Sequence, residues 1–302
     1  MKLSNNYLAL MLLGVVALAG CVGQPSGGGA GSAGSAGVVV SSLTASPPQV
    51  YSTGSVVISA GISNLGQATP TKVTANVFGL EGWFLKATNT NLQESLIGAD
   101  PTIGQQGGET TAVWTGTAPT KDVVVSYPFI VRVTYDYTTK FNGVMKAVTG
   151  DYYRQTSQQG GVVSQSFTSG PLSIAVKVPS VIAPASKVPI QFEITNVGGG
   201  RVCKVDTCTG ADLDKLTYAG SDKVKCSGTE TVLGGGTKTI ISCSVDASSV
   251  TTTSNIDLGL TLSYNYYVDA TQTVTILPIV GSTATTTTTT PSSTTTTTIT
   301  NP

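Results

Sequence analysis

The feature that most constrains this chain is an internal repeat written in period-two segments. Asn64-Leu65-Gly66 closes an alternating run that starts at Val56, and Asn196-Val197-Gly198 closes another that starts at Ile190. Gln106–Trp114 parallels Gly234–Ser242, and Val133-Thr134-Tyr135-Asp136-Tyr137 parallels Leu262-Ser263-Tyr264-Asn265-Tyr266. The offsets are 132, about 128 and 129 residues. Such agreement predicts two copies of one domain of about 110–130 residues. Within each copy, turn signals separate short alternating segments. Tyr127, Phe129, Val131, Val133 and Tyr135 share one face, with Pro128, Ile130, Arg132 and Thr134 opposite. No segment after residue 37 has helical periodicity. Pro47-Pro48 and Pro179 interrupt the first strand of each copy, as at a sheet edge.

The pattern V-x-I-x-x-x-I-x-N-x-G spans Val56–Gly66 and recurs over Val188–Gly198, each time after a strand broken by proline. In this it resembles the CARDB-type and related immunoglobulin-like modules of prokaryotic surface proteins, which are two-sheet sandwiches. The resemblance implies an all-β chain of two tandem immunoglobulin-like β-sandwich domains, over 38–169 and 170–280. The N-x-G turn is architectural in such modules and brings no catalytic residue with it. Glu81–Gln105 is longer and less strand-like than usual.

The N-terminal region carries a second resemblance. Lys2 is the only charge before Cys21, and Tyr7–Gly20 is an uncharged run centred on Leu, Ala and Val. That suits the hydrophobic region of a signal peptide over 1–20 and is too short to span a membrane. Leu18-Ala19-Gly20-Cys21 resembles the lipobox of exported lipoproteins. The resemblance implies that Cys21 is lipidated and becomes the new N-terminus. Two acyl chains hold a protein at a membrane where one holds it marginally. Residues 21–37 read as a flexible Gly/Ala/Ser tether with an r.m.s. span of roughly 20–25 Å. The expected location is the extracytoplasmic face of the cell membrane, with the membrane itself a partner through Cys21. Residues 281–302 read as a disordered Thr-rich tail: 13 of the 20 residues from Thr283 are threonine. It resembles O-glycosylated stalks, and a stalk joined to a lipobox resembles archaeal surface proteins. No hydrophobic run lies in the tail, so a single anchor is expected.

Composition narrows the chemistry. The chain has 16 basic and 16 acidic residues, and charged residues make up 11% of it. There is no basic field for nucleic acid. Histidine is absent. That removes Ser-His and Cys-His nucleophilic sites, histidine metal ligands and the commonest general base. No G-x-S-x-G, S-x-x-K or P-loop motif is present. Gly29-x-Gly31-x-x-Gly34 lacks the preceding strand that a dinucleotide site needs.

After Cys21, the cysteines all lie in the second copy: Cys203, Cys208, Cys226 and Cys243. An even count in an exported chain predicts disulfides, with three pairings open. Their spacing includes no C-x-x-C, a poor zinc signature. Asp206, Asp212, Asp214 and Asp222 near the cysteine loop read as solvated loop carboxylates. Trp114 reads as core. Trp83 and Phe84 are the candidate ligand-contact aromatics, against packing under a loop.

The expectation is a non-catalytic lipid-anchored cell-surface protein, serving as a structural or interaction module for adhesion or the envelope. No catalytic residue, metal or cofactor is expected. The alternative is an envelope ligand- or glycan-binding protein, or an accessory subunit of a transporter or enzyme. The expected partners are envelope proteins or glycans.

Overall fold

The computed structural model describes residues 37–279, except 90, 157–160, 184–186, 206, 207 and 209. The signal segment, Cys21, the tether before Gly37 and the Thr-rich tail lie outside the described residues.

The chain is all-β. The first copy contributes β1 (Val38–Ser46), β2 (Gln49–Tyr51), β3 (Ser55–Asn64), β4 (Thr71–Phe78), β5 (Phe84–Asn89), β6 (Asn91–Ser95), β7 (Glu109–Thr117) and β8 (Val125–Ala147). A helix, α1 (Gly150–Thr156), and β9 (Val162–Thr168) follow. The second copy contributes β10 (Leu172–Pro179), β11 (Val181–Ile182), β12 (Val188–Asn196), β13 (Arg201–Cys203), β14 (Lys215–Gly220), β15 (Val224–Cys226), β16 (Glu230–Val232), β17 (Lys238–Val245) and β18 (Ser254–Leu277). At seven residues α1 is too short to leave a periodic signal, which is why the sequence predicts no helix.

The repeat is visible in the sheets. One sheet runs β1-β3-β7-β5, and another runs β15-β17-β12-β10-β9, the same order with β9 added. β10 is therefore not the edge strand that Pro179 suggests. Its outer side pairs with β9, and Pro179 is the last residue of the strand, where a missing N–H costs little. A third, nine-stranded sheet belongs to both copies. Its centre is β8 against β18, antiparallel through 23 consecutive residue pairs. At about 3.3 Å per residue the ladder is about 75 Å long.

This pairing has internal two-fold symmetry. Tyr135 stands opposite Tyr266, and Tyr137 opposite Tyr264. The 129-residue offset carries Tyr135 to Tyr264 and Tyr137 to Tyr266, so it exchanges the two facing pairs, and a pseudo-dyad passes through the Asp136–Asn265 pair. The flanks obey it too. β2 runs parallel to β18 at Thr275–Leu277, and β11 runs parallel to β8 at Lys146–Ala147. We call the dyad region the waist, and the ends of the long ladder the poles.

Alternation explains the burial. Along β8, residues 129, 131, 133, 135, 137, 139, 141, 143, 145 and 147 are all buried, and the residues between them are half-buried or exposed. β18 matches it with Ile256, Leu258, Leu260, Leu262, Tyr264, Tyr266, Val274 and Ile276. Trp114 of β7 is also buried, as expected of a core residue. Phe141 meets Phe192 of β12 edge-on at 5.7 Å between ring centroids. The smaller sheets thus lie over one face of the long ladder, and the apolar core runs between.

Candidate interaction surface

The waist is built from tyrosines beneath and charges above. On the core side, Tyr135, Tyr137, Tyr264 and Tyr266 form a chain of tilted and edge-on rings with centroids 5.7–6.4 Å apart. Every hydroxyl is used. Tyr135 Oη accepts from the Val38 N–H at 3.3 Å, and Tyr137 Oη donates to the Ser169 carbonyl at 2.8 Å. Tyr264 Oη and Thr139 Oγ1 are hydrogen-bonded at 2.9 Å. Tyr266 Oη donates to Asn196 Oδ1 at 2.8 Å and accepts from the Gly200 N–H at 2.9 Å. Burial disfavours the phenolate. It pushes Tyr137 and Tyr266 up to about 12, and raises Tyr135 and Tyr264 well above the ordinary phenol value.

The two N-x-G turns close over this cluster. Asn64 Oδ1 accepts from the Gly66 N–H, and Asn196 Oδ1 from the Gly198 N–H. Their amide groups donate to carbonyls of neighbouring loops: Ala68, Leu96 and Ile97 in one copy, Gly200 and Gly236 in the other. A Cβ on Gly66 would stand 2.8 Å from Tyr137 Oη, and one on Gly198 would stand 2.4 Å from Tyr266 Oη. The glycines are needed for this close approach.

The solvent side of the same strands carries a polar platform. Arg132 holds Asp269 with two parallel bonds of 2.8 and 2.7 Å across the β8–β18 ladder. Its guanidinium lies 4.0 Å from the Tyr267 ring centroid and 5.6 Å from that of Phe78. Asp269 raises the Arg132 pKa by its hydrogen bond. Phe78 stands opposite Ile130 in the register, and both are exposed. Beside them, Lys72 pairs with Asp136 at 3.0 Å, and Asn265 donates to Asp136 at 2.6 Å. Arg201, opposite Tyr267, grips Asp214. None of these partners is near the other in sequence, so no local motif announces the platform.

A stapled loop borders it. Cys203 bonds to Cys208, five residues on, and Cys226 bonds to Cys243 across the β15–β17 register. These two disulfides are one of the three pairings open to the sequence. The loop that follows Cys203 is pinned by Lys204–Glu230 at 2.7 Å and by a backbone bond from the Lys204 N–H to the Asp212 carbonyl. It ends at Asp214, in the left-handed region at φ 63°. Asp212 meets Lys215 at 3.4 Å, so Asp212 and Asp214 serve as ion-pair partners. Asp206 lies outside the described residues. Among the described residues, no group of three or more His, Cys, Asp or Glu is placed to hold a metal.

Trp83 and Phe84 do not form one platform. Trp83 is buried in the first copy, edge-on to Tyr127 at 5.8 Å, and its Nε1 has no hydrogen-bond partner. Phe84 is 80% exposed at the start of β5. Adjacent residues entering a strand face opposite ways. Alternation alone separates the two, so only Phe84 is free to meet a ligand.

No known protein family matches the chain, and no curated relative does. The secreted serine protease VesC from Vibrio cholerae is 14% identical over 73% of this chain, with a TM-score of 0.19. This chain spans 48% of the length of that protease. The collagen adhesin (CNA) from S. aureus is 9% identical over 80% of this chain and 87% of its own, with a TM-score of 0.11. Likenesses this slight carry no argument about function.

Proposed function

We propose that the chain is a non-catalytic, lipid-anchored surface protein that displays the waist platform to an envelope partner. The continuous β8–β18 ladder supports this reading most. It makes two sandwiches into one stiff body about 75 Å long, which suits presentation better than turnover. The lipobox-like Leu18–Cys21 and the Gly-rich tether supply the anchor in this reading. The tether would join the fold at the waist, because Val38, the first residue of β1, bonds to Tyr135. The disulfides of the second copy fit an oxidising compartment.

Intact mass of protein extracted from native membranes tests the anchor. The expected result is a chain beginning at Cys21, carrying a diacylglyceryl increment, that gains four hydrogens on reduction. A Cys21→Ser variant should leave the membrane fraction. An unprocessed mass, or membrane retention of the variant, would overturn the anchored reading.

The exposed Phe78–Ile130 pair beside Arg132 favours a second reading, a surface that binds glycan or another envelope ligand. Phe78→Ala should then reduce retention on native envelope fractions severalfold while leaving the melting temperature within a few degrees. Unchanged retention would remove this reading and leave the structural one.

A further inference from the structure

The two smaller sheets match strand for strand, β1-β3-β7-β5 against β10-β12-β17-β15, with one exception. β9 lies along the outer edge of β10, pairing from Thr168–Ser173 to Val162–Pro179. Among the described residues, no strand pairs with the corresponding outer edge of β1. By the repeat, β1 has an outer strand position that no described residue fills, where β10 has one that β9 fills.

That edge is poorly guarded. β1 reads Val-Val-Val-Ser-Ser-Leu-Thr-Ala-Ser, without a charge or a proline. Exposed edges are normally blunted by lysine, proline or a covering element, because their open N–H and C=O groups recruit strands. Ser41, Ser42, Thr44 and Ser46 are exposed. β1 has one irregularity, a register shift between Val40 and Ser42.

In the second copy the segment just before β10 supplies the strand. The same place before β1 is held by Gly28–Gly34, in which four of seven residues are glycine. Glycine weakens a strand, so this stretch is a poor occupant. The other end of the chain is a better one. Pro48, two residues past β1, accepts a hydrogen bond from the Thr275 N–H at 3.0 Å. The end of β18 therefore lies beside the end of β1, at the same pole. β18 then runs beside β2 as far as Leu277, whose carbonyl accepts from the Ser52 N–H, so chain continuing beyond Ile279 starts at the pole where β1 ends. A run back toward the waist would be antiparallel to β1, the sense in which β9 meets β10. The composition of that run suits a strand. Thr283–Thr290 is uncharged, and seven of its eight residues are threonine. Threonine is β-branched and favours extended backbone.

We propose that Thr283–Thr290 adds as a strand to the free edge of β1, in the position that β9 takes on β10. A link of a few residues from β18 makes the pairing intramolecular, at an effective concentration in the millimolar range. The proposal is independent of the lipid anchor.

Amide hydrogen exchange on the unglycosylated full chain tests it, beside a chain ending at Ile279 and a Thr286→Pro/Thr288→Pro variant. Proline removes the ladder donors without touching the described fold. The β1 amides should exchange about tenfold more slowly in the full chain than in either variant, with β3 and β7 unchanged. Equal β1 exchange in all three would overturn the proposal. Protection that grows with protein concentration would assign the position to the segment of a second copy, and would overturn the intramolecular pairing. Protection lost only when Gly28–Gly34 is replaced would assign it to the tether, with the same consequence.

Discussion

Asn64 and Asn196 do the same work at the two ends of one symmetry operation. Each side chain fastens a turn to its own backbone and then to a neighbouring loop. Asn64 is buried, so Asn64→Ala strands the Gly66 N–H and removes the side-chain bond to the Leu96 carbonyl, while the Ile97 carbonyl keeps its bond from the Gly108 N–H. The expected loss is about 3 kcal/mol in a denaturant titration, from buried groups left unpaired. The N-x-G motif was plain in the sequence, but its reason was not. That the glycine makes room for a tyrosine hydroxyl depends on Tyr137 and Tyr266, about 70 residues away in the chain. The waist tyrosines also predict a pH limit. Their folded pKa values lie above the free value of 10, so the folded state keeps protons that the unfolded chain releases. Their contribution is complete below pH 10 and is lost as pH rises toward about 12. Stability should be flat to about pH 9 and then fall by about 1.4 kcal/mol per pH unit for each tyrosine. In Tyr137→Phe the alkaline fall should be shallower, and an unchanged slope would refute this assignment.

At the level of elements, strand character and facing followed from alternation, since a half-buried strand must alternate, but strand length did not: in place of short segments, β8 and β18 run for 23 and 24 residues. The burial of β8 follows the sequence pattern over the whole of its 23 residues. Partnership did not follow. Two strands with nearly identical patterns can pair with each other or with other neighbours, and alternation cannot choose. The sequence places the repeats in tandem sandwiches, and only the structure shows that β8 and β18 join them into one sheet. The cysteines were similar: four of them pointed to bridges and left the pairing open. Chain entropy ranks the two observed bridges. Closing 17 residues stabilises by about 3 kcal/mol, and closing five by about 2 kcal/mol. Cys226→Ala/Cys243→Ala should therefore lower the melting temperature more than Cys203→Ala/Cys208→Ala. The opposite order in calorimetry would show that the small loop matters through the platform it borders.

For the whole molecule, the long ladder removes the usual independence of tandem domains. Neither copy can open its half of the nine-stranded sheet without exposing the buried face of the other. Calorimetry should show one cooperative transition for both copies, where separate sandwiches on a linker would show two. Two resolved transitions would mean that the ladder is weaker than its length implies. The ladder also sets how the molecule carries load. A pull on the end of β18 acts along the strand, in line with its 23 rungs on β8. Those rungs must then slide past one another together, whereas a pull across the ladder would unzip them one at a time. A body built this way would yield abruptly, at high force, when tugged by whatever holds its C-terminal end.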